Sequence, residues 1–248
     1  MKPSPINSTP AQPENSTESS PRRSAWELIL DYGISIVGLL LLLPLILADI
    51  VFIKLVSPGP AIFKQRRIGL VGRGFMIYKL LTMRCRAATE THEHHTLDLI
   101  RSNRPMTKMD ASGDSRLIPL GRFLRTSGID ELPQLVNVLK SQMSIVGPRP
   151  CVPSECAAYS ASDRQRFDTL PGITGLWQVS GKNALTFKQM IERDLQYTRK
   201  KHIGLYLNII LKTPSVLLKQ TWAALQLNVV EKSPLHDQPA HLGEKVAN

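Results

Sequence analysis

The sequence predicts an α/β fold, mostly α with a few short strands, in a monotopic protein seated on a membrane. Three stretches carry that prediction. Between Asp31 and Asp49 about seventeen residues bear no charge, enough helix to rise about 26 Å into a hydrocarbon layer. Leu132, Leu135, Val136 and Leu139 recur at i, i+3, i+4 and i+7, the period of a buried helix face. Residues 203–226 are apolar with scattered lysines and an interior Pro214; Lys212 and Lys219 share a face and Trp222 is an interfacial residue type. That pattern predicts helices lying in the headgroup layer, with a soluble core helix pair as the other reading.

The balance of 31 basic against 20 acidic residues, +11 in 248, calls for a polyanionic partner. No zinc-finger, homeodomain or RNA-binding pattern accompanies the charge, so nucleic acid is not expected, and lipid and phosphate are. Cys85, Cys151 and Cys156 cannot all pair within the chain and lack paired C-x-x-C spacing, so they read as reduced thiols of a cytoplasmic-facing domain.

In chain order, residues 1–23 are polar and Pro/Ser-rich and read as a disordered tail. Residues 24–56 form the membrane segment. Pro44 lies inside it and is expected to kink it, and Asp31 or Asp49 would each cost about 3 kcal/mol near a bilayer centre. Basic residues flank it on both sides: Arg22 and Arg23 before, Lys54, Lys64, Arg66 and Arg67 after. A helix that enters, bends and returns keeps both flanks in the cytoplasm; a spanning helix puts one on the wrong side. Residues 57–226 read as one domain that includes the interfacial C-terminal helices. It opens with a Ser57–Pro60 turn and short strands or interfacial segments at Ala61–Lys64 and Phe75–Leu80 around a glycine-rich loop, with Lys79 a candidate phosphate ligand or a solvated lysine. His92, His94 and His95 lack the spacing of a zinc site. Residues 153–169 read as surface helices, residues 170–183 as a hairpin with Trp177 in the core, and Phe187–Arg199 as a helix carrying Asp194. Residues 227–248 read as a polar tail.

The centre of the chain is the adjacent pair Asp130 and Glu131 at the start of the periodic segment. Pro133 is tolerated in a first turn, so a helix is expected to begin near Asp130, with Ser127 adding a capping-box-like contact. Arg116, Arg122, Arg125 and Arg149, the last in a rigid Gly-Pro-Arg-Pro, stand around the acids. An N-cap, a first-turn acid and solvated arginines are one reading. A site that holds a phosphate ester against a carboxylate is the other.

The run SGIDELPQLVNVLKSQMSIVGPRP, residues 127–150, resembles the signature of bacterial monotopic phosphoglycosyl transferases, the initiating sugar transferases. The likeness covers roughly residues 24–220 and includes LPGITGLWQVSGKN at 170–183, which it implies helps to shape the substrate pocket. It implies a re-entrant N-terminal helix and transfer of a phosphosugar from a UDP-sugar to polyprenyl phosphate at the bacterial inner membrane, on its cytoplasmic side. Asp130 is then the nucleophile of a covalent intermediate and Glu131 the ligand of Mg²⁺. Arg149 is the first phosphate clamp, Arg122 and Arg125 the second, Lys79 a phosphate ligand and Asp194 a weaker site candidate. A carboxylate about 4 Å from a diphosphate charge meets roughly 4 kcal/mol of repulsion per charge pair, which is why a cation is expected. The resemblance leaves room for a homo-oligomer and for downstream glycosyltransferases as partners. Two positions depart from it: Leu43-Pro44 replaces the usual Ser-Pro break, and Leu80-Leu81 replace an aromatic and a basic residue after Lys79. Those departures support the alternative of a non-catalytic membrane-surface scaffold with the same fold.

Overall fold

The structure, a computed structural model, describes residues 23–84, 98–100, 102, 104, 105 and 116–231. The two tails, Cys85 and the His92–His95 stretch lie outside the described residues, apart from Arg23 and residues 227–231 at the tails' inner edges.

Helix α1 (Ala25–Val56) is continuous, with Pro44 inside it rather than at a break. Proline removes one helical hydrogen bond, which bends an apolar helix without ending it. Glu27, Asp31 and Ser35, spaced four apart, are buried on one face of its first half. Asp31 does not meet lipid. It accepts hydrogen bonds from Ser144 Oγ (2.9 Å), Ile145 N (2.8 Å) and Tyr206 Oη (2.6 Å), and pairs with Arg23. Glu27 pairs with Lys201 at 2.7 Å. One face of the middle of α1 is bare, Leu40 and Leu41 being 71% and 73% exposed, while Leu39 packs against the core around Leu135 and Ile46 is buried. Its far end is seated again: Ile53 packs with Ala61, Leu80, Leu81 and Ile118.

Strands β1 (Ile62–Ile68) and β2 (Gly74–Leu80) form an antiparallel pair, from Ile62 opposite Leu80 to Ile68 opposite Gly74, the first running four residues past the expected end at Lys64. Leu80 and Leu81 end β2 in the core under α1, so position 81 serves packing here. Helix α2 (Gly121–Ser127) leads through Gly128 into a 3₁₀ turn at Ile129–Gln134, then α3 (Leu135–Leu139).

Strand β3 (Ser144–Val146) pairs in parallel with β4 (Gly172–Thr174), Ser144 opposite Gly172 and Val146 opposite Thr174. The expected hairpin at 170–183 does not form: β4 is its only strand, and Leu176–Val179 is helix α5, after helix α4 (Pro153–Ala157) earlier in the chain. Sequence alternation could not reveal that β4 pairs backwards to β3. The backbones meet so closely there that a Cβ on Gly172 would lie 2.0 Å from Gly147 N. Trp177 is buried as expected. Residues 163–168 form a 3₁₀ turn, and this region is not a surface one: Glu155, Arg166 and Phe167 are buried. Helix α6 (Phe187–Lys200) is capped by Thr186. Helix α7 (Ile203–Glu231) runs on through Pro214 as one helix. Leu211, Leu218 and Trp222 on α7 are exposed, while Tyr206 and Ile209 enter the core with Leu135, Val138, Ile145 and Tyr197.

Candidate active site

The acid pair stands on the 3₁₀ turn, not at the mouth of an α-helix. Gly128, at φ +78°, ends α2 in the left-handed region that a glycine enters without strain, and the chain restarts directly into Ile129–Gln134. Asp130 is therefore inside a helical turn rather than its cap. The Ser127 hydroxyl donates to Phe123 O (2.8 Å) and Leu124 O (3.2 Å), closing α2 instead of opening the next element.

Asp130 is buried and Glu131 half-buried. Lys79 Nζ donates to Glu131 Oε1 at 2.7 Å, so Lys79 is neither free nor merely solvated. Asn137 on α3 brings them together: its amide donates to Met76 O (2.7 Å), and its carbonyl oxygen accepts from Tyr78 N (3.2 Å). Asn137 is wholly buried, and satisfying both of its polar ends fixes the acid-bearing segment against β2.

Lys182, which sequence reasoning passed over, joins this group. Burial pulls its ammonium below the ordinary lysine value, while Glu131 and Asp130 hold it up and Lys79 opposes them. The only signal for it was its place in SGKN, at the end of the 170–183 motif.

Arg149 lies in a second group. Its guanidinium forks onto Glu155 at 2.7 and 3.2 Å, so the arginine expected to clamp phosphate already holds a carboxylate. Its backbone N–H donates to Asp194 Oδ2 (3.2 Å). Arg166, fully buried, donates to Arg149 O (2.8 Å) and pairs with Asp194. The Gly-Pro-Arg-Pro turn is thus held by an ion pair behind it as well as by its prolines. Burial pushes the Asp194 carboxyl up to about 6, with Arg166 and the Arg149 N–H pulling the other way. Arg67 joins this second group. It donates to Pro150 O (3.1 Å), and burial lowers its guanidinium to about 10, with Arg149 adding to the fall and Glu155 and Glu131 opposing it. Arg122 and Arg125, both half-buried, sit on α2 on the approach to the acid turn.

Among the described residues no three His, Cys, Asp or Glu gather as a metal cage. Cys151 and Cys156 are free, and burial pushes the Cys151 thiol up to about 12. Chemically, the first group offers two adjacent carboxylates, one paired with the Lys79 ammonium, with the Lys182 ammonium feeling their charge, a setting that can place a nucleophile beside a neutralised polyanion.

Residues 22–220 match the model of the family described as bacterial sugar transferase. The chain is 42% identical over 167 residues to a protein named galactosyl transferase CpsE of Streptococcus agalactiae serotype III, covering 66% of this chain and 36% of that one. It is 40% identical over 183 residues to a UDP-glucose:undecaprenyl-phosphate glucose-1-phosphate transferase of Caulobacter vibrioides, covering 70% and 63%. It is 34% identical over 187 residues to the exopolysaccharide production protein ExoY of Rhizobium meliloti, covering 74% and 82%. The chain thus spans less than two thirds of the length of the first two relatives.

Proposed function

This chain belongs to the bacterial sugar transferase family, and from that premise we propose that it transfers a sugar-1-phosphate from a UDP-sugar to undecaprenyl phosphate, releasing UMP and starting the assembly of a polysaccharide. The names of the relatives support the acceptor and the reaction class. The observation that carries the reading is the pairing of Asp130 and Glu131 on one rigid turn with Lys79 at 2.7 Å from Glu131.

A carboxylate oxygen of Asp130 attacks the phosphorus that bears the sugar. The bond from that phosphorus to the bridging oxygen breaks, and UMP leaves with the electron pair. An oxygen of the lipid phosphate then attacks the aspartyl-bound phosphorus, forms the diphosphate, and returns the electron pair to the Asp130 carboxylate. Lys79 orients Glu131 and faces the donor diphosphate. Arg122 and Arg125 approach the same anion, and the Arg149 turn, braced by Asp194 and Arg166, forms its far wall.

The donor set fits a divalent cation shared with substrate, because Mg²⁺ takes one or two carboxylates plus phosphate oxygens rather than a protein cage. Glu131 would hold it, and there it would neutralise diphosphate charge and ease departure of UMP.

Both ends of α1 rest on one body, and in between one face of the helix packs on that body while the other is bare apolar surface. That supports a re-entrant seat in the inner membrane with the body on the cytoplasmic side. A spanning helix would place its two ends on opposite sides of the bilayer, so that only one of them could rest on a body on the cytoplasmic side.

Incubation with a panel of UDP-sugars and undecaprenyl phosphate should release UMP. Asp130→Asn should lower turnover at least about a thousandfold and abolish the sugar-phosphate adduct seen by mass spectrometry. Full activity in that variant overturns the mechanism. No UMP from the wild type with any donor would favour the scaffold alternative.

A further inference from the structure

Lys182 opens the 3₁₀ turn Lys182–Ala184 at φ +38°, a left-handed conformation that a lysine adopts only when its surroundings hold it there. Its ammonium donates to Gln220 Oε1 on α7 at 3.0 Å. One turn earlier on α7, Leu217 lies against Gly128, the residue that launches the acid turn: a Cβ there would be 3.4 Å from its methyls. The Thr174 and Thr213 hydroxyls, 2.8 Å apart, tie β4 to the same helix. Leu217 and Gln220 thus share a face of α7 that fronts the acid turn on one side and Lys182 on the other. Leu218, Trp222 and Leu225 of the same stretch are 72%, 66% and 45% exposed.

The two substrates of the proposed reaction must arrive by different routes. A UDP-sugar comes from water. A polyprenyl phosphate has its tail in the bilayer and only its charged head free to enter. A tail lying along the bare face of α7 delivers that head to the rim where Lys182 stands, within electrostatic reach of Asp130 and Glu131. The geometry points to Lys182 as the residue that receives the phosphate of the lipid acceptor, with Gln220 as its positioning residue. This assignment rests on the transferase reading and divides it: Lys79 serves the donor, Lys182 the acceptor. Lys182 neutralises one acceptor oxygen while another attacks the aspartyl-bound phosphorus. The new P–O–P bond forms as the P–O bond to Asp130 breaks.

The test uses the full chain in nanodiscs, the UDP-sugar that the wild type turns over, and undecaprenyl phosphate. Two quantities are read: the burst of UMP without acceptor, and the KM for acceptor in steady state. Removing a charge-assisted hydrogen bond in Lys182→Met should raise the acceptor KM about 10- to 100-fold and slow the burst much less. Lys182→Arg should recover most of the loss, and Gln220→Leu should raise the acceptor KM about threefold to tenfold. Thermal denaturation checks that each variant is folded. A burst slowed as much as acceptor turnover overturns the assignment, as does a folded Lys182→Arg no better than Lys182→Met. A wild type that turns over without a burst removes the covalent step alone, and the acceptor KM still decides Lys182. A wild type with neither burst nor turnover overturns the transferase reading and this assignment with it.

Discussion

Burial pushes the Glu155 carboxyl up, but Arg149, Arg67 and Arg166 outweigh it and hold the group below the ordinary carboxylate value. A depressed folded value means a contribution to stability that is complete above the unfolded value, about 4.3, and is lost as pH falls through the folded one. Glu155→Gln should therefore destabilise the protein at neutral pH, by roughly 2–3 kcal/mol. That is somewhat below the cost of breaking a wholly buried pair, because Arg149 keeps a solvent side. The difference from wild type should shrink below about pH 4, which denaturant titrations at pH 7 and pH 3.5 would check. Asp130, Glu131 and Lys79 could be picked out from residue types and order alone. The partners of Arg149 could not: Glu155 is six residues away and looked like part of a surface helix, and Arg166 looked like one arginine among many. Lys182 was missed because a lysine in a Gly-flanked turn has no periodicity to mark it.

At the scale of elements, two joints set the site. Gly128, at φ +78°, is the single residue between the end of α2 and the start of the acid turn. Gly128→Ala should cost about 1 kcal/mol or more, from the left-handed backbone, and lower activity beyond its loss of melting temperature by displacing Asp130. The second joint is Asp31, which anchors α1 through Ser144, Ile145 and Tyr206. Asp31→Ala leaves those donors buried and unmatched and Arg23 without its carboxylate, so about 3–5 kcal/mol of stability should be lost, seen as a lower melting temperature in detergent. Elements with strong local signals (α1, the β1–β2 pair, α6) were readable from the sequence. The β3–β4 pair was not, because its strands are three residues each and their partnership is parallel and distant.

For the whole molecule, the exposed apolar surface comes from two helices far apart in sequence, the outer face of α1 and the exposed stripe of α7, joined through Asp31 and Tyr206 and through the edge-to-face contact of Trp26 with Tyr206 at 5.4 Å. If α1 is re-entrant, single cysteines at Ala25 and Pro60 in a cysteine-free background should both react with a membrane-impermeant maleimide from the cytoplasmic face of inverted vesicles. Reaction of one site from each face would mean a spanning helix. The sequence by itself determined the apolar insert, the two strands before and after the glycine-rich loop, the acid pair and the family, because each is written in local pattern and order. Only the tertiary structure decided that Asp31 is buried among protein donors, that Lys79 meets Glu131, that Arg149 is committed to Glu155 and that Lys182 faces α7. Those outcomes depend on which distant backbones approach within hydrogen-bonding distance, and a burial gain shared across the whole core, rather than any single stretch, selects that approach.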